Sequence, residues 1–184
     1  MTRRKLAIFT GAPTLLVVAL LIWATASAGG TRGRPGVNDD LGQVAVTAPS
    51  GTDFRLTTLA GDQLRLSDLR GGMVMVDFWS SWCPPCIQEG PVLARAYEEW
   101  RQRGVEFFGI AIWDEEAPVR EFIATHGAAY PNAIDATGAT AIEFGVRGLP
   151  EKFFVDRDGR IVDKYIGPMT PAALDEILQT LTGD

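Results

Sequence analysis

The stretch from Met73 to Trp79 is apolar on both strand faces apart from Asp77, the pattern of a central strand covered on both sides. Beyond it the period changes. Cys86, Glu89, Leu93, Ala96 and Trp100 recur at helical spacing, which predicts a helix running to Arg103 and stopped by Gly104. Val105 to Trp113 reads as a second buried strand. Upstream, Phe54 to Leu66 alternates apolar and polar residues around Ala60-Gly61-Asp62, which predicts a hairpin. Downstream, Pro118 opens a short helix through Thr125, and a turn at Asp135 leads into another over Thr137 to Phe144. Lys152 to Val155 and Ile161 to Tyr165 flank Asp156-Arg157-Asp158-Gly159, a hairpin signal, and Thr170 caps a last helix with Pro171 at its first position. The order βαβ, α, ββ, α predicts an α/β domain with one mixed sheet between helices.

The N-terminus carries a different pattern. Arg3, Arg4 and Lys5 precede Leu6 to Trp23, interrupted only by Thr10, Gly11, Pro13 and Thr14. Leu15 to Trp23 suits a signal-peptide core with Ala26-Ser27-Ala28 as its cleavage site, whereas Leu6 to Ala28 just reaches the roughly 20 residues of a spanning helix. Residues 1–28 are therefore expected to be a signal anchor or a signal peptide. Residues 29–43, rich in Gly and charge, form a flexible linker, and 44–184 form the folded domain. Basic flanks stay in the cytoplasm, so the domain is expected on the extracytoplasmic side of the membrane, or as a secreted soluble form if the segment is cleaved.

With 184 residues and 46% apolar content, the chain has enough material for one core plus a tail. Its 17 Lys and Arg face 23 Asp and Glu, but five of the bases precede residue 35, leaving 12 against 23 and a net charge of −11 on the remainder. Such a surface repels polyanions, and no basic and aromatic residues interleave, so nucleic acid is excluded as a partner.

The only two cysteines, Cys83 and Cys86, stand where the central strand gives way to the helix, in Trp82-Cys83-Pro84-Pro85-Cys86. Such a pair is either a redox dithiol or half of a metal site. Zinc would need four ligands, and two thiols with the single His126 fall short without a carboxylate. Ile87, not His, follows Cys86, so the pair is no covalent haem-attachment motif. A non-enzymatic Cu(I) chaperone using the same thiols is the rival reading, although no Met or His cluster accompanies them. As a purely structural bridge, so short a loop would gain little from closure.

A redox role fits the placement. A cysteine preceding a helix faces unpaired N–H groups and the positive dipole end, which lowers its pKa and makes Cys83 the attacking thiolate. Pro84 and Pro85 supply no N–H, so that stabilisation is moderate, which points away from a strong oxidant. Asp77 shares a strand face with Met73 and Met75 and should be buried with a raised pKa. Glu89 lies one turn past Cys86 on the face of Leu93 and Trp100, so either carboxylate could take the proton of the resolving thiol Cys86. Glu89 would equally suit a solvated first-turn acid favoured by the dipole.

Val76-Asp77-Phe78-Trp79-Ser80-Ser81-Trp82-Cys83-Pro84-Pro85-Cys86, Pro91, and Phe144-Gly145-Val146-Arg147-Gly148-Leu149-Pro150-Glu151 before a strand together resemble the thioredoxin fold. Within it they resemble the TlpA/ResA/CcmG (DsbE) branch of extracytoplasmic thiol-disulfide oxidoreductases, and the resemblance spans the domain from about residue 44 to 184. It implies a thioredoxin fold with an N-terminal hairpin extension, and a cis bond before Pro150 that presents the backbone of Leu149 to an extended substrate. Glu89 matches the family's active-site glutamate, Asp77 matches the buried aspartate of thioredoxin, and Glu151 helps shape the site as in CcmG-like proteins. Trp82 would cover the sulfur from one side. The implied substrate is a disulfide-containing protein, apocytochrome c in the first instance, with electrons from a membrane thiol transporter and no cofactor or metal. A general periplasmic disulfide reductase or oxidase is the alternative.

Overall fold

All seven residues of the strand Met73–Trp79 are buried, so the central strand is covered on both sides, as its unbroken apolar pattern requires. The computed structural model describes residues 17–20, 41–44 and 53–183. Among the described residues from 41 onward, eight strands and four α-helices follow in order: β1 (Gly42–Val44), β2 (Arg55–Thr57), β3 (Gln63–Arg65), β4 (Met73–Trp79), α1 (Pro84–Trp100), β5 (Val105–Ile112), α2 (Glu116–His126), β6 (Asn132–Asp135), α3 (Ala139–Phe144), β7 (Glu151–Val155), β8 (Ile161–Ile166) and α4 (Pro171–Thr182). Six strands make one mixed sheet in the order β1-β8-β7-β4-β5-β6. β4, β5 and β6 run parallel, and β7, β8 and β1 add on antiparallel. The predicted hairpin is β2 paired with β3, a separate two-stranded ribbon. This is the thioredoxin-like α/β architecture with its hairpin extension.

The strand parity divides the core. Val74, Val76 and Phe78 meet Phe108, Phe144, Phe153 and Phe54, whereas Met73 and Met75 meet Leu93, Tyr97, Phe107, Leu174 and Leu178 from α1, β5 and α4. Asp77 belongs by parity to the second face, under α1. Two elements differ from the sequence reading by addition. β6 begins just after Pro131 with a polar residue at each end, so it carries no strand period, and the three-residue β1 is held by pairing to β8. α2 starts at Glu116 rather than Pro118, because a proline in the first turn removes an N–H that has no helical acceptor there. α3 starts at Ala139 rather than Thr137; Gly138 occupies a left-handed cap position, and Asp135 accepts the N–H groups of Ala139 and Ala141 at 3.1 and 3.2 Å.

Gly109 on β5 stands opposite Asp77, and its missing side chain makes room for the site's supporting contacts. Trp79 Nε1 donates to Asn132 Oδ1 at 3.2 Å across that space, while Asn132 Nδ2 donates to the carbonyl of Tyr130 at 2.7 Å. A Cβ on Gly109 would lie 1.9 Å from Asn132 Oδ1 and 2.9 Å from Trp79 Nε1. Gly109→Ala is therefore expected to destabilise the domain by about 2–3 kcal/mol through overpacking and loss of that bond, read as a lower urea midpoint. An unchanged midpoint would contradict this account of the packing.

Among the described residues no helix is long and apolar enough to cross a membrane. Residues 17–20 are helical, and the rest of the expected anchor or signal segment lies outside the described residues.

Candidate active site

The turn between β4 and α1 is pinned before the cysteines arrive. Ser80 Oγ donates to the Ile112 carbonyl at 2.6 Å, and Ser81 gives its N–H and its hydroxyl to the two oxygens of Asp114 at 2.6 and 3.0 Å. Cys83 is then the N-cap of α1, with extended backbone, and Pro84 and Pro85 fill the first helical positions where a missing N–H costs nothing. The Cys86 N–H donates to Cys83 Sγ at 3.3 Å. The two sulfurs are joined in a disulfide, and both residues are buried. This placement is the one the sequence predicts for a helix-activated thiol.

One turn along α1 from Cys86 lies a buried charge cluster, only part of which the sequence pattern predicts. Asp77 is 1% exposed and Glu89 3%, so Glu89 is an interior acid and not a solvated one. Between them stands Lys152, 0% exposed, on β7 directly opposite Asp77. Its ammonium contacts Glu89 Oε1 closely, lies 3.7 Å from Asp77 Oδ1, and donates to the Gly167 carbonyl at 3.2 Å. Glu89 Oε2 accepts the Met169 N–H at 2.8 Å. Burial raises the pKa of both carboxyls; Asp77 is pushed up to about 7, with Glu89 adding to the rise and Lys152 opposing it. The Tyr130 phenol is driven well above its ordinary value, first by burial and then by these same two acids.

Lys152 was invisible as a site residue because a lone lysine at the start of a strand reads as solvated. The available signal was a deficit: two carboxylates predicted in the interior with no cation assigned to them.

Leu149 and Pro150 are joined by a cis peptide bond, and Leu149 packs in the cluster that holds Cys83 and Cys86. Glu151 is fully buried, on the face of β7 opposite Lys152. Its Oε1 accepts the N–H groups of Arg147 and Gly148 at 3.0 and 3.3 Å, and its Oε2 lies 2.6 Å from Lys164 Nζ. Glu151 thereby ties the loop before Pro150 to the sheet from within the core. Trp82 is 56% exposed and donates its indole N–H to the Trp113 carbonyl at 3.3 Å. Trp113 has equal exposure and a left-handed φ of 50°, whereas its place in the sequence marks only the end of a strand. His126 closes α2 with its ring on Phe122, 4.6 Å between centroids. Among the described residues no group of three or more His, Cys, Asp or Glu is placed to hold a metal ion.

A thioredoxin-like sheet with a cysteine pair at the N-terminus of its first helix defines a thiol-disulfide oxidoreductase. Residues 46–164 match the AhpC/TSA family, and the chain belongs to it. It is 33% identical over 140 residues to the thiol-disulfide oxidoreductase ResA of Bacillus anthracis, covering 76% of this chain and 79% of that protein. Its fold matches that of a thioredoxin-family thiol:disulfide interchange protein from Chlorobium tepidum, with a TM-score of 0.67 and 27% identity over 76% of this chain and 100% of that one. It also matches a secreted Mycobacterium tuberculosis disulfide oxidoreductase homologous to E. coli DsbE, with a TM-score of 0.64 and 26% identity over 70% of this chain and 96% of that one. The enzyme is thus of the ResA/DsbE type.

Proposed function

We propose that this protein is a membrane-tethered, extracytoplasmic protein-disulfide reductase that keeps the haem-attachment cysteines of apocytochrome c reduced. The observation that carries the reading is the Cys83–Cys86 pair at a helix start, with two prolines behind the first sulfur and the buried Glu89 one turn past the second. In the reduced enzyme the Cys83 thiolate attacks one sulfur of a substrate disulfide, forming a mixed disulfide and expelling a substrate thiolate. Cys86, relieved of its proton by the Asp77 and Glu89 cluster, then attacks Cys83 Sγ. The second substrate sulfur leaves and takes up a proton, and the Cys83–Cys86 disulfide forms. Two electrons have passed to the substrate; a membrane thiol transporter would return them. The loop before Pro150, held at Arg147 and Gly148 by the buried Glu151, suits an extended substrate strand beside the sulfur, with the exposed Trp82 at its edge.

The full chain, reduced, should show a kcat/KM about tenfold or more higher for an oxidised peptide with Cys-x-x-Cys-His spacing than for one with the same residues and widely separated cysteines. Equal values would leave a general disulfide reductase. Glu89→Gln is expected to lower the pH midpoint of the resolving step by about one unit, because one negative charge beside Asp77 disappears while Lys152 remains. An unmoved midpoint in a pH-rate profile would remove Glu89 from the relay.

A further inference from the structure

Resting on the dithiol reading, we propose that Trp113 is a docking platform beside the cysteine pair, taking an aromatic or large aliphatic side chain that flanks the attacked disulfide of a polypeptide substrate. A tryptophan ordinarily buries most of its ring, whereas Trp113 is 56% exposed. Its φ of 50° is a left-handed conformation that a bulky residue adopts only when its neighbours enforce it, and among the described residues no other residue besides glycine has positive φ. Three contacts do the enforcing. The Trp113 N–H donates to the Asp135 carbonyl at 3.2 Å, its indole Nε1 donates to the Thr137 carbonyl at 3.4 Å, and its ring rests on Gly138. A Cβ on Gly138 would stand 2.4 Å from Trp113 Nε1 and 2.8 Å from Cε2, so the chain omits a side chain where the indole lies. The ring is thus fixed before any partner arrives, and a partner spends little entropy in ordering it.

The platform is joined to the cysteine pair by the turn that carries it. Trp82, next to Cys83, is equally exposed, and its indole N–H donates to the Trp113 carbonyl at 3.3 Å. Ser80 Oγ donates to the Ile112 carbonyl and the Ser81 N–H to Asp114 Oδ2, both at 2.6 Å, so residues 80–82 and 112–114 are tied together. Beyond Gly138, Ile142 is 73% exposed and stands one turn along α3, where a helical side chain leans back over the preceding turn. Three exposed large apolar side chains, Trp82, Trp113 and Ile142, thus follow one another from the cysteines toward α3. A substrate disulfide must come within bonding distance of Cys83 Sγ, which brings its flanking residues against the residues tied to that turn. This continuity with the reacting sulfur assigns the surface to the disulfide-bearing polypeptide.

The test uses the reduced full chain and two oxidised peptides with the same Cys-x-x-Cys disulfide, one flanked on both sides by Phe and the other by Ser. Reactions are stopped in acid and the reduced peptide is measured by chromatography. The unsubstituted protein should reduce the Phe peptide with a kcat/KM about tenfold higher than the Ser peptide, mainly through a lower KM. Trp113→Ala should bring that ratio to about one, and Trp113→Phe should keep most of it. A ratio of about one in the unsubstituted protein, or an unaltered ratio in a folded Trp113→Ala protein, overturns the assignment. So does a dimer of the unsubstituted protein that Trp113→Ala dissolves in sedimentation, which would make the surface a contact between copies of the chain. Failure of the unsubstituted protein to reduce either peptide overturns the dithiol reading instead. Should Trp113→Ala fail to fold, each peptide trapped as a mixed disulfide on Cys83 of a Cys86→Ala protein decides. A shift of the Trp113 indole N–H resonance with the Phe peptide and not with the Ser peptide supports the inference, and equal or absent shifts overturn it.

Discussion

Cys83→Ala should abolish disulfide reduction, lowering turnover by about 10³-fold or more, because no other thiol in the chain can reach an outside disulfide first. Cys86, the remaining cysteine, sits inside α1 behind two prolines, whereas Cys83 forms the cap at the helix start that activates a thiol. The fold should survive. The bridge closes only the four residues from Cys83 to Cys86, and the cores on both sheet faces are built from aromatic and aliphatic side chains that the substitution does not touch. Insulin reduction measured beside near-ultraviolet circular dichroism separates the two effects. Turnover undiminished in a folded Cys83→Ala protein would end the reductase reading. Cys86→Ala should behave differently, accumulating the mixed disulfide on Cys83 because the resolving nucleophile is gone.

Asp77→Asn should stabilise the protein at neutral and alkaline pH while harming its chemistry. The folded carboxyl titrates at about 7 against an ordinary value of 3.8. As the pH rises from about 4 to about 7, the unfolded chain therefore releases this proton while the folded protein still holds it, and folding stability falls across that window. Above the folded value the penalty is constant. Replacing the carboxyl removes it, so the gain of the Asn variant should be near zero at pH 4 and reach on the order of 3 kcal/mol at pH 8, allowing for the counter-charge that Lys152 loses. Urea midpoints at the two pH values measure it. A variant less stable than its parent at pH 8 would mean that the attraction of Lys152 outweighs the cost of burying Asp77.

The parts of the fold that sequence made legible are those with a strong period. β4 carries an almost unbroken apolar run, and α1, the β2–β3 hairpin and the β7–β8 hairpin each combine a clear pattern with a stop signal, Gly104, Gly61 and Gly159, all three of which adopt positive φ. β6 and β1 had no such signal. Each is short, and each exists because a neighbouring strand offers unpaired backbone groups, which is a tertiary cause. The site divides in the same way. The cysteines, Asp77, Glu89 and Pro150 follow from motif and parity, but Lys152 could be placed only once β7 was known to lie beside β4 with Lys152 opposite Asp77. Antiparallel register, a relation between residues far apart in the chain, decides which acids that lysine serves.

The burial of Glu151 shows a further limit. From sequence it is a strand-end acid beside a turn, and its second oxygen finds Lys164 only through the β7–β8 hairpin. Two ion pairs thus occupy opposite faces of one strand, Lys152 with Glu89 toward α1 and Glu151 with Lys164 toward α3. The first lies one turn along α1 from Cys86. The second holds the loop that carries Leu149 and Pro150.

The central claim is that the dithiol is a donor of electrons, which follows from a thiolate stabilised by the helix start but denied the N–H groups of Pro84 and Pro85. The reduction potential of the Cys83 and Cys86 couple in the full chain, obtained by equilibration against a thiol buffer, tests it most directly. The account predicts a value near or below about −250 mV, in the range of thioredoxin, whereas a value near about −120 mV would make the protein an oxidant and contradict it.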